Sequence, residues 1–247
     1  MDLRKGFHEP AEKPRRFYKA VTVVEADGGF GVQLDGRMLR TPMARRMALP
    51  TRAVAEQVAE EWSAQGETIE MATMHATRLA NTAIETISST REAVADQVAQ
   101  YAGSDLLCYF AEEPTALVER QESRWGPVLV RAETEEGLTF HRCVGIVHRE
   151  QPADALARIR AIALSLDDFA LAGFAFGTSL FGSAVLALGL MREWLVADEA
   201  LDLSRLDEAF QEEKWGVDAE AAERTARLRG EARMLERWFR GLAATGA

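Results

Sequence analysis

Three carboxylates within six residues, Asp207, Glu208 and Glu212 of "LDEAFQEEKWG", are the side chains of this sequence most suited to acid–base chemistry. A carboxylate pair works as general acid and base when its members titrate apart and face a substrate. Here one helical stretch presents all three, with no histidine or cysteine beside them. Other catalytic signatures are missing. There is no GxSxG, no HExxH and no Gly-Lys-Ser/Thr to close a phosphate loop. "GGFG" (28–31) lies between two strand-like runs, so it reads as a turn and not as a dinucleotide loop opening a helix. His8, His75, His141 and His148 are scattered. His141 and His148 are seven apart on a strand-like run, so they point to opposite faces and share no metal locally. Cys108 and Cys143 stand without CxxC or a local base, and a small buried hydrophobe is the simpler reading of Cys108. The residues predict no catalytic group, no metal site and no cofactor.

The same stretch can instead be a surface. Asp207, Gln211 and Trp215 recur every four residues and share one helical face. Leu203, Leu206 and Phe210 fall on another face and read as the buried stripe. The tryptophan therefore sits off the core side. Charge runs are usually solvated faces, so spacing alone ranks a plain surface first, a binding surface second and catalysis last. In the binding reading, Trp215 is a packing anchor and the acids meet an arginine-rich patch. A second polar stretch, "AEEWSAQGETI" (59–69), carries Trp62 on the apolar face of its helix, which makes Trp62 a core anchor between helix and sheet.

The elements that must hold these residues describe an α+β protein. Residues 17–49 read as strands: "FYKAVTVVE", a Gly-rich turn, "FGVQL", then a second Asp-Gly turn in "LDGRML". They form a small antiparallel sheet with Arg15, Arg16, Arg45 and Arg46 near its edges. From Thr51 the period becomes helical. The expected organisation is a β-rich domain over 1–50 and a helical domain over 51–247, with one strand predicted near 138–149. The first helix buries Val54, Ala55, Val58, Ala59 and Trp62, and Gly66 is placed to close it. Leu79, Ala80, Ala83, Ile84 and Ile87 mark a second helix. Ser89 and Glu92 read as a capping box for a third, with Val94, Val98 and Tyr101 inward. A fourth starts near Thr115 with Leu117, Gln121 and Trp125, and Pro127 kinks or breaks it. Helices resume near Pro152, and the last, from Asp218, carries Leu228, Ala232, Leu235 and Phe239 as its stripe.

Phe169–Met191 is 23 residues without a charge, long enough to span a bilayer. Gly173, Gly177, Gly182 and Gly189 weaken it as one span, and Asp167 and Asp168 can cap a helix at its start. A buried helical hairpin is the better reading, with no membrane insertion. The net charge is −10, yet residues 1–49 carry 10 Lys+Arg against 6 Asp+Glu. A basic front on an acidic body argues for two different surfaces and against nucleic acid as the main partner. "MDLRKGFHEPAEKPRRFYK" has acids and no apolar stretch, so it reads as neither a signal nor a transit peptide.

Seven segments carry a family likeness: "RFYKAVTV", "LDGRMLRTP", "LPTRAVAEQVAEEWSAQ", "TMHATRLANTAIE", "YAGSDLLCYF", "ERQESRWGPVL" and "LDEAFQEEKWG", in this order. Together they resemble the Atp-twelve family, the assembly chaperones for the α subunit of the F-type ATP synthase. The resemblance implies a small β domain and a larger helical one. It implies a non-enzymatic chaperone that binds new α subunit and releases it to β subunits without ATP hydrolysis. It also implies a protein of α-proteobacteria or of the mitochondrial matrix; lacking a transit peptide, this chain reads as a bacterial cytoplasmic member, and a monomer is expected. The family's C-terminal signature matches Asp207, Glu208, Gln211, Trp215 and Gly216, with Glu212 alongside. Family members usually carry Glu at the first acid; Asp207 is one methylene shorter, and Glu208 or Glu212 can share its task. Glu61, Trp62 and Gln65 match the Glu-Trp-x-x-Gln signature, and Asp35 and Gly36 match its "LDGR" turn. The alternative is a small-molecule enzyme with a carboxylate pair in an interdomain cleft, which calls for a deep pocket lined by Asp207, Glu208 and a histidine.

Overall fold

Two Asp-Gly turns organise the start of the chain, whose computed structural model describes residues 13–145, 149–216 and 218–244. β1 (Val21–Ala26), β2 (Gly29–Leu34) and β3 (Arg37–Met38) pair antiparallel in sequence order. The β2–β3 turn places Asp35 at φ 48° and Gly36 at φ 79°. Positive φ at both central residues is the twist a two-residue hairpin needs, and Asp-Gly supplies it at low steric cost. Asp35 also takes the N–H groups of Lys19 (3.1 Å) and Ala20 (2.8 Å), which fixes the approach to β1. Those two bonds hold its carboxyl below the ordinary range.

Thr51 is the N-cap of α1 (Arg52–Ser63): its Oγ1 accepts from Val54 N at 3.1 Å. The same hydroxyl donates to Gly241 O at 2.8 Å, and Gln57 Nε2 donates to Arg237 O at 2.7 Å. α1 ends at Ser63 with Ala64 as its C-cap, so Gly66 does not close it as expected. α2 (His75–Thr82) has no capping side chain of its own. Glu61 reaches over from α1 and accepts from Ala76 N (2.7 Å), Thr77 N (2.8 Å) and Thr77 Oγ1 (2.8 Å).

α2 continues through a π-helical turn, Ala83–Ile87, into α3 (Ser88–Ala102). The helix does break there, at Thr90 (φ −128°, ψ 15°), but the Ser89–Glu92 capping box is overturned, because both side chains are engaged elsewhere. Ser89 Oγ donates to Thr86 O, and Glu92 pairs with Arg160. Val98 is buried, but Tyr101, expected inward, is exposed. α4 (Thr115–Glu136) runs unbroken past Pro127. Trp125, Val128 and Leu129 are buried around that proline, which offsets the roughly 3 kcal/mol such a residue costs in a helix.

The predicted strand over 138–149 shrinks to β5 (Cys143–Val144), parallel to an unforeseen β4 (Tyr109–Phe110). His148, like His8, lies outside the described residues. Both cysteines are buried, and burial raises the Cys108 thiol far above its usual range. α5 (Ala153–Ser165) leads into the apolar run, which folds as two helices, α6 (Asp168–Phe181) and α7 (Ala184–Met191). Gly182 at φ 64° ends α6, and Ser183 caps α7 through Leu186 N. Among the described residues no helix is long and apolar enough to cross a membrane. α8 (Ala197–Ser204), α9 (Leu206–Trp215) and α10 (Ala219–Ala243) complete the fold. Gly173 lets α10 approach closely: a Cβ there would sit 2.8 Å from Phe239 Cε1. One apolar cluster runs from Val32 of the sheet through Trp125 to Phe239, so the sheet and the helices share a core.

Asp105 is fully buried at the centre of this arrangement. It accepts from Leu107 N (3.1 Å), Ser183 Oγ (2.6 Å) and Val185 N (3.1 Å), joining the loop after α3 to the start of α7. Loss of solvent lifts its carboxyl from 3.8 to about 6 against the pull of those donors.

Candidate functional site

α9 is held by its apolar stripe and by α4. Leu206 and Phe210 are buried, as is Leu203 in α8. Trp125 Nε1 donates to Leu203 O at 3.0 Å, fixing α4 against the α8–α9 corner. Gln121, one turn earlier on α4, is fully buried and bonded at both ends. Its Oε1 accepts from Ala111 N at 2.7 Å, and its Nε2 donates to Asp207 Oδ1 at 2.7 Å. Arg120 grips Glu213 with two parallel bonds of 2.7 and 2.9 Å while stacking over the Phe210 ring at 5.0 Å. Bidentate pairing of this kind fixes geometry as well as charge.

The five partner-binding candidates, Asp207, Glu208, Gln211, Glu212 and Trp215, divide into two sets. Asp207 is half-buried and committed to Gln121. Partial burial raises its carboxyl above the ordinary range, the Gln121 bond opposes this, and Glu208 adds to it. Glu212 is partly buried and pairs with Arg205 at 3.2 Å. Glu208, Gln211 and Trp215 are exposed, and Glu208 has no ion pair among the described residues. Trp215 is 77% exposed, the most exposed large hydrophobic side chain described. Gly216, at φ 85°, turns the chain away immediately after it. The helix thus presents an indole, an amide and one free carboxylate outward. Its other acids are drawn back onto α4 and α8–α9, so the face is less acidic than its composition suggests.

The second signature lies elsewhere. Trp62 is buried, with its ring 5.6 Å from that of Tyr18, whose hydroxyl donates to Trp62 O at 2.7 Å. Gln65 bridges Glu61 O (3.0 Å) and Glu70 N (2.6 Å). Arg16 closes this corner by donating to Ser63 O and Gln65 O. Sequence reasoning missed three anchoring groups: Gln121, Arg120 and the Glu61 cap of α2. A glutamine inside the apolar stripe of α4 was the available signal for the first.

The groove described beside α9 differs from the pocket that the enzyme alternative requires. The groove there is lined by Arg120, Ser123, Arg124, Asp202, Leu206 and Ala209, without Asp207, Glu208 or a histidine. Among the described residues no group of three or more metal-ligating side chains comes together.

The ATP12 chaperone protein model matches residues 15–133. Atp12 of Schizosaccharomyces pombe, a mitochondrial protein, is 25% identical over 226 residues, covering 87% of this chain and 78% of that one. Atp12 from Paracoccus denitrificans superposes with a TM-score of 0.85 at 39% identity, over 93% of this chain and 98% of its own. A solved structure from Agrobacterium tumefaciens gives a TM-score of 0.88 at 41% identity, over 93% of this chain and 86% of that one. With matching architecture, matching signatures and identity of this level across nearly the whole length, the chain belongs to the ATP12 family of chaperones.

Proposed function

We propose that this chaperone serves assembly of the F-type ATP synthase by binding the unassembled α subunit through α9 and yielding it to β subunits without ATP hydrolysis. The observation that carries this reading is Trp215, an indole left 77% exposed on a helix whose position is fixed by Gln121 and Arg120. Exposed, rigidly mounted aromatics are the usual anchors of protein interfaces. In this proposal Glu208, Gln211 and Trp215 touch the client, while Asp207 and Glu212 hold the helix. Trp62, Gln65, Asp35 and Gly36 are structural, and Gly216 shapes the helix end. An unassembled subunit exposes a large apolar interface. A temporary cover must bind that interface more weakly than the final partner, which suits a mixed polar and apolar face. The protein acts as a monomer, in the cytoplasm of a bacterium.

Co-purification tests this. Tagged protein from cells lacking β subunit should retain α subunit, and added β subunit should strip it off with no nucleotide turnover. Failure to retain α subunit under these conditions would sink the proposal.

A further inference from the structure

Just before β1, the chain runs extended against the loop that follows α1. Arg16 N donates to Glu67 O and Ile69 N donates to Pro14 O, both at 2.8 Å, and Arg15 bridges antiparallel to Thr68. In this pattern the residues that flank the bridge bond inward. The N–H and C=O of the bridge residue itself point away from the partner strand. Arg15 is that residue, and Phe17, two further on, repeats its direction. Among the described residues neither the N–H nor the C=O of Arg15 or Phe17 takes a hydrogen bond.

The side chains alternate in the same way. Arg16 and Tyr18 are committed inward: Arg16 donates to Ser63 O and Gln65 O, and the Tyr18 hydroxyl donates to Trp62 O. Arg15, Phe17 and Lys19 are exposed. Phe17 is 71% exposed, second only to Trp215 among the large hydrophobic side chains described. Lys13 pairs with Glu70 at 2.7 Å, but Arg15 and Lys19 form no ion pair among the described residues. A short open edge thus carries an aromatic ring between two unpaired cations.

We infer that this edge docks an extended polypeptide segment, which adds to it as a strand, lays an apolar side chain on Phe17 and brings a carboxylate to Arg15 or Lys19. Two features select that occupant. Outward N–H and C=O groups at alternate residues match the backbone of another extended chain. Charges on an edge keep like copies apart. Here both are of one sign, so they admit a strand that carries carboxylates. The chain's net charge of −10 works against such a segment, which leaves the attraction to these two side chains. The inference goes beyond the α9 reading and shares no residue with it.

Short fluorescein-labelled peptides test it on the full chain. One has threonine on one face of the strand and leucine alternating with glutamate on the other; a second carries lysine in place of glutamate. In 0.15 M salt, where charges more than about 8 Å apart are screened, the glutamate peptide should bind saturably and at least ~5-fold more tightly than the lysine peptide. A strand bonds along one edge through alternate residues. Backbone N-methylation of one alternate set should therefore weaken the glutamate peptide ~10-fold, and of the other set should not. Phe17→Ala should weaken it ~5-fold or more, and Arg15→Glu should weaken it while improving the lysine peptide. Trp215→Ala on α9 should leave both peptides unchanged. Circular dichroism and melting check that these exposed-site variants fold. Absence of saturable binding, equal binding of the two peptides, equal effects of the two N-methylated forms, or indifference to Phe17→Ala and Arg15→Glu overturns the inference. So does displacement of the glutamate peptide by oligothymidylate, which would assign the edge to nucleic acid. Dimers in sedimentation that Phe17→Ala abolishes would assign it to a second copy, and tighter peptide binding after deletion of residues 2–12 would assign it to the chain's own start; either result overturns it too.

Discussion

Replacing Trp215 with alanine should damage client binding and spare the fold. The side chain is 77% exposed, so of the roughly 250 Å² such a residue can bury, about 190 Å² still faces water. Covering all of it is worth about 4–5 kcal/mol at ~25 cal/mol per Å². Interface aromatics commonly show about 2–4 kcal/mol on truncation, which corresponds to a rise in Kd of roughly 30- to 1,000-fold. Folding loses almost nothing. Leu206 and Phe210 keep the buried stripe, Gly216 still ends the helix, and alanine is a good helix former. The unfolding free energy should therefore move by less than about 0.5 kcal/mol. The assay pairs anisotropy titration of labelled α subunit with urea unfolding of the same two proteins. A Kd change below about threefold removes Trp215 as an anchor. A stability loss above about 1 kcal/mol shows instead that the indole packs the helix end.

Three further outcomes follow from buried groups. Gln121→Leu strands Ala111 N–H and the Asp207 carboxylate, and should cost about 2–4 kcal/mol in urea unfolding; a cost under ~0.5 kcal/mol would show that water replaces the amide. For Asp105, the folded carboxyl at about 6 lies above the unfolded 3.8. Its contribution is therefore most favourable below the unfolded value and declines as pH rises through the folded one, by about 3 kcal/mol in all. The stability difference between wild type and Asp105→Asn should shrink or reverse by that order between pH 4 and 8, and a flat difference refutes the linkage. Gly173→Ala drives a Cβ against the rigid Phe239 and Trp238 rings, whereas at Gly177 the nearest atom is the movable Cδ2 of Leu235. The first should destabilise by about 1–2 kcal/mol in thermal melts and the second by less; the reverse order would mean that α10 shifts freely.

Much of this architecture follows from short-range chemistry. Asp35-Gly36 specifies its hairpin through backbone sterics alone. Gly182 and Ser183 divide the apolar run where a helix end and a helix start must meet, and the stripe of α10 is legible from Leu228 to Phe239. The capping box at Ser89 marks a real break, at Thr90, but misassigns the side chains: Ser89 donates back to Thr86 O and Glu92 is drawn off to Arg160, 68 positions away. Tyr101 lies at the end of α3, where its face has turned towards solvent. Pro127 is tolerated because the residues around it bury apolar surface, which no local rule weighs. At the candidate site, periodicity finds the exposed Gln211 and Trp215, but not that Asp207 of the same face turns to Gln121, nor what else secures α9. Gln121 and Arg120 act across 86 and 93 positions of sequence, and spacing carries no information at that range.

The bonds from Thr51 to Gly241 and from Gln57 to Arg237 also set an order of events during synthesis. Their partners are separated by 190 and 180 positions. The helix that joins the sheet to the rest of the molecule must therefore wait, with one face uncovered, until the ribosome has delivered residues 237–241. A nascent chain halted at Gly216 would already carry the complete acidic helix and its tryptophan, yet α1 would lack the helix that seats it. Seating of α1 against α10 therefore comes last in synthesis, after the helix that carries Trp215 has been made.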